Sequence, residues 1–384
     1  MPKRYFVYLP SVEGNLEDEW KQCLQLIIKS GFSGYIPLKL NVFIDTADFE
    51  SFLEKRDRIR QSLFDEFGSA SPAVNISVHP PEKPWKVAVE GTFTNDQSVS
   101  IIAKSYQSVN YVILETDDKK EIWAAGVSSY MFPDDTKKAA ESAFDTMAGL
   151  LANENMSLDN LVRQWNYIGN ILTVKNGVQN YQVFNEVRND YYSKYRKIHG
   201  YPAATGVGMK HGGVILDFCA VLPGKSLQIR AVDNPNQINA YNYGQQVLIG
   251  KAKEGDPVKH APQFERALLM ADKNDVILHI SGTASIIGQK TMGKGDVGEQ
   301  TIVTLENIKK LTDTERLNQL VPGAFPYRNR YSLFRVYIKK QEDFGIVRKI
   351  CSEHFPSLPA TYIEADICRD DLLMEIEAEA EPGQ

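Results

Sequence analysis

Apolar and polar positions follow one order along this chain, and that order is written three times. In the first copy, residues 19–28 carry apolar side chains at helical spacing, beginning at Glu19-Trp20. The run Leu38-Lys39-Leu40-Asn41-Val42-Phe43-Ile44 then alternates at period two and predicts a strand. Asp48 stands where an N-cap belongs, ahead of a helix bearing Phe49, Phe52, Leu53, Ile59 and Phe64. Ser71-Pro72-Ala73 predicts a turn, and residues 85–90 a return strand. The second copy predicts a helix over 136–151, a strand over 162–171 and an aromatic helix over 181–195. Its turn is Tyr201-Pro202-Ala203, with a return strand over 214–218. The third copy opens with a strand over 277–282 and continues with a helix over 299–311, an alternating strand over 333–338 and a helix over 344–354. Leu358-Pro359-Ala360 is its turn and 372–379 its return strand.

Strands separated by helices in this order predict an α+β protein in which each unit is a mixed sheet with helices on one face. The expected boundaries are 1–95, 110–222 and 266–380. Residues 223–265, rich in Asn, Gln, Gly and Lys, read as a connector long enough to be functional or mobile. The N-terminal run from Met1 to Val7 reads as a first strand rather than a signal peptide, and the acidic tail 377–384 as frayed.

Composition adds exclusions. At 384 residues, 43% hydrophobic and 24% charged, the chain has ample material for buried cores. A net charge of −6 and a pI near 5.7 argue against a nucleic-acid footprint, so an anionic ligand needs a local cluster of Arg and Lys. Four dispersed cysteines (Cys23, Cys219, Cys351, Cys368) without a CxxC pair speak against a structural zinc or a disulfide framework and for a reducing compartment. No apolar stretch approaches a membrane span, and the six His residues lack metal-ligand spacing such as HExxH. The expectation is a cytoplasmic protein with no metal, no cofactor, no nucleic-acid partner and no membrane.

Several runs, taken together and in order, resemble a known family. They are LVRQWNYI at 161–168, VFNEVR at 183–188, YPAATGVG at 201–208, NPNQINAY at 234–241, SGTASIIG at 281–288 and ICRDDLLMEIE at 367–377. The arrangement is similar to the YjgF/RidA superfamily (bacillus chorismate mutase-like fold), and within it to the chorismatases. That resemblance implies three tandem YjgF-like units forming an intrachain pseudo-trimer, monomeric as such or a weak homo-oligomer. It further implies a small dianionic carboxylate substrate like chorismate, whose enolpyruvyl group is cleaved to pyruvate, leaving a hydroxybenzoate or a dihydroxycyclohexadiene carboxylate. Imine and enamine deaminases of the superfamily carry an Arg after the Pro-Ala turn; here the positions hold Val74, Ala204 and Thr361, which makes deamination the weaker alternative. A metabolite-binding protein without catalysis is the third reading. The sequence departs from the chorismatases at Gln289, where the family has His, and over 258–264.

Vinyl-ether cleavage needs a proton on the exocyclic methylene, and a Glu kept neutral by apolar burial can supply it. Glu375, after Leu372-Leu373-Met374, resembles the chorismatase general acid; a solvated strand face shared with Glu377 is the bland alternative. Cys368 stands where chorismatases that form 3-hydroxybenzoate carry Cys, against the ordinary role of a buried small hydrophobe. For the dianion, Arg188 and Arg196 lie roughly 80° apart around one helix, and both resemble substrate-binding arginines of the family. Arg335 is a third candidate. Tyr241 offers a hydroxyl or a packed lid. Gly282, Thr283 and Ala284 offer close backbone approach and small side chains, or an ordinary loop.

Overall fold

The three copies fold into three sheets of one design. The computed structural model describes residues 3–253, 255–273, 275–326 and 328–383; Met1, Pro2 and Gln384, part of the expected terminal segments, lie outside them. The first unit comprises β1 (Lys3–Tyr8), α1 (Leu16–Phe32), β2 (Ile36–Ile44), α2 (Phe49–Phe67), β3 (Ala73–Ser77) and β4 (Val87–Thr94). The second comprises β5 (Ser100–Tyr106), β6 (Val109–Glu115), β7 (Lys119–Val127), α3 (Thr136–Asn153), β8 (Leu161–Gly169), a short hairpin of β9 (Val174–Lys175) and β10 (Val178–Gln179), α4 (Asn180–Tyr195), β11 (Ala203–Met209) and β12 (Val214–Pro223). The third comprises β13 (Gln228–Val232), β14 (Ala267–Ala271), β15 (Val276–Ala284), a hairpin of β16 (Ile286–Ile287) and β17 (Lys290–Thr291), α5 (Val297–Leu311), α6 (Thr314–Leu320), β18 (Arg328–Ile338), α7 (Phe344–His354), β19 (Ala360–Glu364) and β20 (Met374–Gly383).

In every unit a strand runs through a helix into a parallel partner, giving β2 with β3, β8 with β11 and β18 with β19. A return strand then pairs antiparallel beside it: β4, β12 and β20. The sheet orders β1-β4-β2-β3, β11-β8-β12-β7-β6-β5 and β13-β14-β15-β20-β18-β19 therefore share one four-strand core. Helix starts follow from capping chemistry: Asn15, Asp48, Asp135 and Asp296 each accept a backbone N–H of the first turn.

Four expectations change. The Ala residues read as turns, Ala73, Ala203 and Ala360, instead begin strands, since small residues at the start of the parallel partner pair directly with the strand before the helix. Residues 223–265 are not only a connector, because β13 joins the third sheet beside β14; β5 likewise extends the second sheet ahead of residue 110. The acidic tail is ordered, with β20 paired to β18 as far as Gly383 opposite Arg328. Phe64, counted on an apolar helix face, is 60% exposed.

The alternating strands have no solvent face. On β2, Leu40, Val42 and Ile44 pack under the helices of the first unit, while Lys39 and Asn41 point to the centre and are also buried. Each unit has its own helix-side core, and a further core joins residues of all three sheets.

Within that shared interior the polar members of the alternation pair with one another. Lys39 Nζ lies 2.8 Å from Asp217 Oδ2 and 3.7 Å from the centre of the Trp165 ring. Lys3 Nζ meets Glu121 Oε1 at 2.8 Å, and His279 Nδ1 meets Glu379 Oε1 at 3.1 Å. Arg335 binds Glu90 through two nitrogens, forms an ion pair with Glu377 Oε1 at 2.6 Å, and donates to Tyr167 Oη at 3.1 Å. Glu90, Tyr167 and Arg335 belong to different units, so this guanidinium ties all three sheets. Replacing Arg335 strands two buried carboxylates. Arg335→Met is expected to lower unfolding stability in urea by about 3–5 kcal/mol, and the double variant Glu90→Gln, Arg335→Met to recover part of that loss.

Candidate active site

A cavity opens at the seam between the second and third units. Its floor is built from β11, β15 and β20, which bring Ala204 and Gly206 against Gly282, Ala284 and Glu375. Helix α4 and the residue before it supply Gln179, Tyr181, Gln182 and Asn185. The segment between β13 and β14 forms the roof with Tyr243, Val247, Leu248, Ile249, Pro262, Phe264 and Arg266, and the loop before β20 closes the side with Cys368, Arg369 and Leu372. The seam itself is pinned by Ser281, whose hydroxyl accepts the Ala204 N–H at 2.8 Å and donates to the Glu265 carbonyl at 2.6 Å.

Glu375 is second on β20 and only 5% exposed, and its neighbours Met374 and Ile376 face the helix-side core. Its side chain therefore points the other way, into the seam. Among the described residues its carboxyl has no hydrogen-bond partner. Burial first, and the nearby Glu377 carboxylate second, push its pKa up to about 8, while Arg163 and Arg266 pull the other way. Glu377 is held below the ordinary carboxylate range: burial alone would raise it, but Arg335 and Arg163 prevail, helped by bonds from Thr205 and Trp165. Its partners are close, with Arg163 Nη2 at 2.9 Å and Trp165 Nε1 at 2.7 Å. The two carboxyls share a strand face and are not solvated; one is an anion and the other an acid neutral at pH 7.

Gly282 explains how the acid fits. It lies in the irregular stretch of β15 pairing, and a Cβ built there would stand 2.0 Å from Glu375 Oε1. The absent side chain makes room for the carboxyl, and the Gly282 N–H is engaged by Thr205 Oγ1 at 3.1 Å. Ala284 lines the cavity. Thr283 does not: its hydroxyl donates to the Ser281 carbonyl at 2.8 Å inside the sheet. Cys368 lines the wall, and burial, with Glu375 next, pushes its thiol up to about 12, so it stays protonated.

The expected cation set is rearranged. Arg188 is buried behind the wall, donating to Asn185 Oδ1 at 2.7 Å, with its Nε unpartnered. Arg196 is a structural cap at the end of α4, bound to the Gly200 and Leu158 carbonyls at 2.8 and 2.6 Å. Arg335 is saturated by carboxylates in the central network. Tyr241 donates to Glu265 Oε2 at 3.2 Å and leans on Tyr201, outside the cavity. In their place stand Arg266 and Arg369. Arg266 reaches the Ile238 carbonyl and Tyr243 Oη at 2.8 Å, with Nε unpartnered. Arg369 donates to the Gln289 carbonyl at 2.8 Å. Among the described residues neither they nor Arg188 meets a carboxylate. Arg163, Asn185 and Arg369 lay within the family-like runs yet carried no distinguishing pattern; Arg266 follows the divergent stretch 258–264, where no local signal marked it. Gln289 accepts the Gly244 N–H at 3.0 Å and so steadies the roof.

Three fused units of one design, with a neutral buried acid and, among the described residues, carboxylate-free guanidinium groups at one seam, define a pseudo-trimeric α+β protein. The chain belongs to the chorismatase family. A family described as chorismatase FkbO/Hyg5-like, N-terminal, matches residues 90–220. A 3-hydroxybenzoate synthase of Streptomyces hygroscopicus is 33% identical over 247 residues, covering 62% of this chain and 68% of that protein. A chorismatase of Streptomyces rapamycinicus is 34% identical over 229 residues, covering 56% of this chain and 63% of that protein. A crystal structure of a chorismatase superposes with a TM-score of 0.64 at 20% identity over 98% of both chains, which establishes the shared fold.

Carboxyl titration followed by NMR of glutamate-labelled protein should place Glu375 near pH 8. In folded Glu377→Gln it should move downward, because the repelling charge is gone and Arg163 is released toward it.

Proposed function

We propose that this chain cleaves the enolpyruvyl group of chorismate and releases pyruvate, with Glu375 as the proton donor. The observation that carries the reading is the neutral Glu375 carboxyl in a cavity with Arg266 and Arg369 on its walls and Arg188 behind Asn185. Two substrate carboxylates would supply the negative charge these guanidinium groups lack among the described residues. The names of the relatives, a 3-hydroxybenzoate synthase and a chorismatase, support the same substrate.

In this reading the Glu375 proton passes to the methylene carbon of the vinyl ether. The π electrons form the new C–H bond, and positive charge develops on the ether-bearing carbon. The Glu375 carboxylate left behind sits near that charge and within the influence of Arg163 and Arg266. Water adding at this carbon forms a hemiketal, whose collapse breaks its bond to the ring oxygen and gives pyruvate and a dihydroxycyclohexadiene carboxylate. Without net uptake of water, the ring carbon–oxygen bond breaks and its electron pair stays on the pyruvate oxygen. The neighbouring ring hydroxyl oxygen shifts to the vacated carbon, and loss of a ring proton, which restores that taken from Glu375, leaves 3-hydroxybenzoate. The second outcome is the proposed one. It is supported by Cys368, whose neutral thiol lines the same cavity as Glu375, and by the printed name of the Streptomyces hygroscopicus relative. Ala204, which lines the cavity at the position where imine deaminases of the superfamily carry Arg, weighs against deamination.

Pyruvate release from chorismate, coupled to lactate dehydrogenase, tests the reading; a folded protein that is stabilised by chorismate but releases no pyruvate would reduce it to binding alone. Glu375→Gln should keep chorismate binding and lose turnover by about 10²–10⁴-fold. Because the acid must be protonated, kcat/KM should be level below pH 8 and fall tenfold per pH unit above it. Cys368→Ala should shift the product mixture, read by chromatography, from 3-hydroxybenzoate toward the dihydroxy acid; an unchanged mixture would remove Cys368 from control of the outcome.

A further inference from the structure

The roof of the cavity is joined to helix α4 by a group that the proposed reaction does not use. Glu186 on α4 faces Asp256 and His260 of the segment between β13 and β14, and one ligand-type atom from each lies within 4.8 Å of the others. His260 Nε2 stands 3.6 Å from Glu186 Oε2 and 3.4 Å from Asp256 Oδ2. Those separations are too long for hydrogen bonds. They suit donors around one ion: bonds of about 2.0–2.1 Å in a tetrahedral site place ligand atoms roughly 3.3 Å apart.

Glu186 supplies the second, independent sign. Its Oε1 accepts from Gln182 Nε2 and, at 3.0 Å, from the His260 N–H, which fixes the carboxylate in place. Its Oε2 is buried without a hydrogen-bond partner, on a residue 8% exposed, and is aimed at His260 Nε2. A buried carboxylate oxygen left without a donor is costly unless something cationic completes it. Lys253 is the nearby ammonium, and it is paired with Asp190 at 2.8 Å. His260 and Asp256 remain partly exposed, at 28% and 35% of their side chains, which leaves an entry path and an open coordination position.

We propose that Glu186, Asp256 and His260 bind one divalent transition-metal cation, zinc or an ion of similar preference, and that this ion fastens the cavity roof to α4. One imidazole nitrogen and two carboxylates suit such a borderline ion better than calcium or magnesium, which take oxygen ligands. The ion has no part in proton transfer. It acts through position: Glu186 lies one helical turn from Gln182 and next to Asn185, both on the cavity wall, while Leu248 and Phe264 of the tethered segment cover the top.

The experiment uses the full chain, stripped with EDTA and titrated with zinc chloride by calorimetry in the absence of chorismate. One zinc per chain is expected, with affinity reduced about 10-fold or more in His260→Ala and in the partly exposed Asp256→Asn. Zinc should also slow proteolytic cutting within residues 244–262 of the unsubstituted protein and not of the variants. Absence of saturable binding, or binding that both variants retain, overturns the proposal. Because zinc uptake is read without substrate, its outcome is separate from the test of chorismate cleavage.

Discussion

An ionised Glu377, clasped by Arg335 and Arg163 where the three sheets meet, is the constraint on which the rest of the molecule depends. Desolvating a carboxylate costs several kcal/mol, roughly, and is sustained only when cations and donors of good geometry surround it. Here those groups come from different units: Arg335 from the third, Arg163 and Trp165 from the second, and Glu90 from the first as the second ligand of Arg335. Apolar packing holds each sheet to its own helices, but it does not select one arrangement of three sheets. Charges that can be satisfied in one relative placement do.

The same network prepares the cavity. β20 presents Glu375 and Glu377 on one face, two residues apart, so both enter the seam. Burial first, and then the charge of Glu377 committed as an anion by its two arginines, disfavour a second carboxylate, and Glu375 holds its proton. Division of labour between neighbouring carboxyls thus follows from burial shared by both and from ion pairs made by Glu377 alone. Gly282 supplies the space, and Arg266 and Arg369 supply positive charge that the described residues leave uncompensated.

One of the two other seams formed by a Pro-Ala strand shows how similar units come to differ in what they present there. At the contact of the first two units, Asp217 accepts the Gly126 N–H at 2.8 Å and pairs with Lys39 at 2.8 Å, so this carboxylate is tied to its neighbours rather than facing an open cavity. Repetition supplied the scaffold, and divergence of single inward-facing residues decided which seam holds a buried carboxyl of raised pKa.

Most of the regular structure was legible in the sequence because it rests on local chemistry. Period-two runs such as 38–44 and 333–338, an Asp at the head of a helix, and the threefold recurrence of these signals specify strands, caps and units without reference to distant residues. Glu375, Cys368, Gly282 and Ala284 were marked as candidates only by their family-like runs, and the structure places all four at one cavity. What the sequence could not determine was direction and company. Arg335 and Arg266 are both arginines near strands, yet one is spent inside an ion network and the other faces a cavity. Tyr241 packs away while Tyr243 lines the wall. Burial and electrostatic partnership are properties of residues far apart in the chain, and they exist only after the sheets have met. The sequence alone determined the units; the tertiary structure decided which polar groups neutralise each other and which remain available for chemistry.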